Sequence, residues 1–74
     1  KAEQAQTEQR KLEEARISKL KAENCERARL AQKTLDSGVR IARTNAKGER
    51  EIMDDADRAV EAKRLQAIVA SDCN

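Results

Sequence analysis

The apolar positions fall into three blocks with different periods. A sparse stripe runs Leu12, Ile17, Leu20, Asn24/Cys25, Ala28, Ala31 and Leu35, and from Ile17 onward its spacing is close to that of one helix face. Upstream, Lys1 to Lys11 is polar almost all round. With no stripe to bury, that part is expected to fray or to lean on a neighbour. Nothing before Asp36 breaks a helix, and Ala, Glu, Gln, Lys, Arg and Leu dominate. The pattern therefore predicts one long helix over Lys1 to about Asp36. Ser37-Gly38 ends it, because glycine takes the left-handed position beyond a helix without a Cβ clash.

The period then turns to alternation. Val39, Ile41, Thr44 and Ile52 favour strands, and Asn45-Ala46-Lys47-Gly48 between them suits a type I turn closed by a left-handed glycine. A short β-hairpin over Val39 to Met53 follows. The turn sets its register: Asn45 faces Glu49, Arg43 faces Glu51, Ala42 faces Ile52, Ile41 faces Met53, and Arg40 faces Asp54. Two of these pairs match opposite charges. The competing reading is an ordered loop without ladder bonds, since a lone hairpin is marginal in water.

Asp54 opens the third block as a cap, with Asp55 and Asp57 suited to the positive end of a helix dipole. The helix is predicted over Asp55 to Ser71. Its apolar face is Ala59, Ala62, Leu65, Ile68, Val69 and Cys73, and the opposite side carries Arg58, Glu61, Lys63 and Arg64.

Composition sharpens this picture. Seventy-four residues make one small domain, which usually needs a staple or a partner. There is no Phe, Tyr or Trp to enlarge the core, no Pro, and only two Gly. The chain carries 16 basic and 14 acidic side chains, and along the first helix acids and bases alternate rather than forming a basic face. That pattern reads as a solvated surface and argues against nucleic-acid binding. No stretch reaches the ~18 apolar residues of a membrane span. The chain begins at Lys1 without Met or a capping signal, so it is expected to be a piece of a longer protein.

If the hairpin reverses the chain, the helices lie antiparallel. Ten residues of helix span about 15 Å, whether back from Gly38 or forward from Asp54. Leu35 comes near Ala59 and Ala62, Ala28 and Ala31 near Leu65 and Val69, and Cys25 arrives opposite Cys73. The fold class is thus mainly α: a long helix, a short hairpin and a second helix packed on the first, closed by a Cys25–Cys73 disulfide. Free thiols and a bridge between copies stand as the alternatives. With two Cys and no His the chain cannot supply the four ligands of a zinc site, and a redox pair usually sits close in sequence. No metal or cofactor is expected. Residues 1–23 form a charged helical spacer or coiled-coil segment, and 24–74 form the disulfide-closed module.

Four stretches carry a family resemblance: Cys25-Glu26-Arg27-Ala28-Arg29, Leu35-Asp36-Ser37-Gly38-Val39-Arg40, Asp54-Asp55-Ala56-Asp57-Arg58-Ala59, and the final Cys73. Together, over about Asn24 to Asn74, they resemble the C-terminal two-cysteine module of small proteobacterial envelope proteins. In that family a signal peptide precedes an uncharacterised domain with a Tyr-Lys-Trp-type motif, and a charged helical linker leads to the module. This chain has Gln32 where the family often has Leu, and Asp72 where an aromatic residue precedes the last Cys. The resemblance implies a periplasmic location, where a disulfide persists, and no activity assignable to any residue.

The expected function is a non-catalytic structural or protein-interaction module. Leu12, Ile17 and Leu20 have no partner within the chain and are the candidate contacts, with a second copy or an envelope protein. The alternative is an accessory domain of an enzyme, or a thiol-redox module using Cys25 and Cys73.

Overall fold

A computed structural model describes all residues from Lys1 to Asn74. The order is α1 (Ala2–Asp36), β1 (Ala42–Thr44), β2 (Arg50–Ile52) and α2 (Asp55–Asp72). α1 runs unbroken from Ala2, its N-cap Lys1 making no side-chain cap bond. Because α2 is half as long, α1 projects well past it, and the molecule measures 58 × 28 × 14 Å.

α1 stops where the glycine predicts. Gly38 has φ +79°, and its amide donates to the carbonyl of Leu35. The chain then turns into a two-stranded antiparallel ladder with Ala42 opposite Ile52, Arg43 opposite Glu51 and Thr44 opposite Arg50. This is the register set by the turn. Gly48 sits at φ +81°, and the Asn45 side-chain oxygen accepts from the amides of Lys47 and Glu49 at 2.9 and 3.0 Å. The ladder is shorter than the Val39–Met53 alternation suggested. Val39 and Arg40 lie outside it, although the Met53 amide still donates to the Ile41 carbonyl.

α2 starts with both halves of a capping box. The Asp54 carboxylate accepts from the Asp57 amide at 2.8 Å, and the Asp57 carboxylate accepts from the Asp54 amide at 3.3 Å. The helix then returns antiparallel to α1, which brings Cys73 to Cys25 and Arg58 to Leu35.

The core is small. Ala28, Leu35, Leu65 and Met53 are its buried residues, with Ala31, Ile41, Ala62, Ile68 and Val69 packed against the helix–helix part. Ala at the contact lets the two helices approach closely. One face of α2 differs from the sequence reading. Ala59 is exposed, while Arg58 and Glu61, expected on the solvent side, are half-buried. The reason is helix phase: the buried arc centres on Leu65, so positions three, four and seven residues away turn inward. These are Glu61, Ala62, Ile68, Val69, Arg58 and Asp72. Met53 enters the core because strand alternation turns it toward the helices while its neighbour Ile52 stays exposed.

Candidate functional site

The end of the helix pair is fastened by the predicted bridge. Cys25 and Cys73 are joined by a disulfide, with 4.9 Å between their Cα atoms and 48 residues of separation. Neither cysteine is free. Beside the bridge, the Asn24 side-chain amide donates to Asp72 at 3.1 Å, and Arg27 donates to the Asn24 oxygen. The Ser71 hydroxyl donates to the other Asp72 oxygen at 2.8 Å. Asp72 is held below the usual aspartate range, chiefly by the Ser71 hydroxyl, then by Asn24, with help from the charge of Lys21. Nothing in the sequence pattern pointed to this cluster. It follows from the bridge, which sets the residues before each cysteine side by side.

Beyond the bridge, α1 stands alone as a projecting arm. The three candidate contact residues lie on it and are uncovered: Leu12 is 72 %, Ile17 43 % and Leu20 44 % exposed. They do not form one stripe. Ile17 and Leu20 continue the α1 face that carries Ala28 and Leu35, and Ile17 borders a shallow groove that ends at Asp72 and Asn74. Leu12 is five residues from Ile17, about 140° round the helix, so it belongs to another face. Between them, Glu13 and Arg16 form an exposed ion pair, which lowers the Glu13 carboxyl and raises the Arg16 guanidinium in pKa.

The acid cluster at Asp54, Asp55 and Asp57 is occupied structurally. Asp54 and Asp57 cap α2, and Asp57 also accepts from Arg43 of β1 at 3.0 Å, tying the hairpin to the helix start. No group of three or more His, Cys, Asp or Glu side chains is arranged to hold a metal ion. On α2, Glu61 pairs with Arg64, and that hydrogen bond lowers the Glu61 carboxyl. At the hairpin tip, Lys47 and Arg50 stay exposed. No helix is long and apolar enough to cross a membrane.

The site is therefore a surface rather than a pocket: a disulfide-fastened helix pair presenting a long, partly apolar arm. Compared with known proteins, the chain matches no family model, no curated protein and no solved structure.

Proposed function

We propose that the chain is a non-catalytic structural or interaction module of the bacterial envelope, acting in the periplasm. The fastened pair serves as a rigid terminal knob and the α1 arm as the contact element. The observation that carries this reading is the arm itself. Leu12, Ile17 and Leu20 stay exposed on a helix whose other half is held in place by a covalent bridge. Exposed apolar residues on a positioned element suit a docking partner. The disulfide fits an oxidising compartment, and the resemblance to the two-cysteine envelope module narrows that to the periplasm.

The test is a pull-down from bacterial envelope extract using the oxidised chain and an Ile17→Lys/Leu20→Lys variant, with sedimentation of both. The parent chain is expected to associate, with itself or with an envelope protein, and the variant to lose the envelope partner held through Ile17 and Leu20. A parent chain that sediments as a monomer and retains nothing from the extract would overturn the reading.

A further inference from the structure

The two most exposed of the large apolar side chains are Leu12, at 72 %, and Val60, at 69 %. Each belongs to an ordered face. On α1, Ala5, Glu8, Leu12 and Ala15 succeed one another at steps of three, four and three residues. On α2, Ala56, Val60, Lys63 and Ala67 do so at steps of four, three and four. Such steps keep residues on one side of a helix, with the spacing of a coiled-coil seam. All of them are exposed. The α1 face points away from α2, since Leu12 is sixteen residues, about 160°, from buried Ala28. The α2 face points away from α1, since Lys63 is two residues, again about 160°, from buried Leu65.

The two faces complement each other. Laid antiparallel, the step of three on one meets the step of four on the other, the layering of an antiparallel coiled coil. Glu8 then meets Lys63, and Leu12 meets Val60. Alanine flanks them on both sides, Ala5 against Ala67 and Ala15 against Ala56, which lets the axes come close. Neither Glu8 nor Lys63 has an ion-pair partner within the chain. The faces cannot meet within one molecule, because α2 ends beside Cys25 and Leu12 lies thirteen residues, about 20 Å, farther out along α1.

We infer that a second copy of the chain lays its α1 arm antiparallel across the outer face of α2, seating Leu12 on Val60 and pairing Glu8 with Lys63. This rests on the interaction reading above and names the partner. The two faces lie on opposite sides of the helix pair, so the contact is head to tail. Each pair of copies keeps one free arm at one end and one free α2 at the other, and the assembly grows as an open row.

Sedimentation equilibrium of the oxidised chain, up to about 1 mM, tests this. The mean mass is expected to rise past that of a dimer without a plateau. Glu8→Lys alone and Lys63→Glu alone place like charges together and should each weaken association about tenfold. An equimolar mixture of the two variants should recover it, because every contact between unlike copies then pairs opposite charges. Both side chains are exposed and unpaired, so the circular dichroism of each variant should match the parent. A parent that stays monomeric, single variants that assemble like the parent, or a mixture no better than its components would each overturn the inference. If self-assembly fails while envelope extract still yields a partner through Ile17 and Leu20, this contact falls and the broader interaction reading stands.

Discussion

Arg58, in the first turn of α2, donates to the Leu35 carbonyl at the end of α1 at 2.6 Å, and to the Val39 carbonyl at 3.0 Å. The last carbonyls of a helix have no partner inside it and form the negative end of its dipole. One helix thus caps the other from across the hairpin. Arg58→Ala is expected to destabilise the fold by about 1–3 kcal/mol. Arg58→Lys should cost less, since an ammonium keeps the charge but not the two-pronged geometry. Urea denaturation measures both, and an unchanged midpoint for Arg58→Ala would show that the cap contributes nothing.

The bridge matters more. Closing a loop across 48 residues stabilises by about 4 kcal/mol on the chain-entropy model. Only four residues are buried, so little else holds the helices together. Cys25→Ala/Cys73→Ala, or reduction, is expected to broaden and lower the thermal transition strongly, with loss of helical signal from α2. Thiol alkylation of the denatured, unreduced protein with intact-mass analysis supplies the companion observation. Label at both cysteines would remove the staple and the compartment argument with it.

Much of this architecture was legible because local chemistry and global layout agree. Gly38 and Gly48 mark the two places where the chain needs a positive φ, and the Asn45–Gly48 turn fixed the pairing of Ala42 with Ile52. The errors lie where phase or distance decides. Ala59 is as apolar as Ala62, and only the position of Leu65 at the centre of the buried arc tells them apart. Arg58 looks like a solvent residue until the carbonyls at and beyond the end of α1 are placed beside it. The Asn24–Asp72 contact needs the bridge before it can exist. Leu12 is near Ile17 in sequence, yet five residues of helix turn it to another face.

The start of α2 offers a graded test. Asp54 accepts from the Asp57 amide, whereas Asp55 makes no cap bond. Asp54→Ala should cost about 1 kcal/mol, the usual value for an N-cap. Asp55→Ala should cost a few tenths, the size of a dipole effect at an exposed site. Asp57→Asn should fall between, because Asp57 also receives Arg43. Equal losses at all three positions would argue against capping as their role.

Asp72 gives the fold a pH dependence of known sign. Hydrogen bonds from Ser71 and Asn24 favour its ionised form and lower its pKa below the ordinary 3.8. A carboxyl depressed on folding adds stability that is present above the unfolded value and lost as pH falls through the folded one. The contribution should therefore be complete above about pH 4 and fade below it. Ser71→Ala should raise the Asp72 pKa most and Asn24→Ala less, matching the order of the two causes. An NMR titration of the Asp72 carboxyl carbon is the right readout. The bridge keeps residues 24 and 72 near each other even when the helices melt, so unfolding curves alone would understate the effect. If Ser71→Ala leaves the titration unmoved, the hydroxyl is not what holds Asp72 down, and the cluster beside the bridge is a consequence of proximity alone.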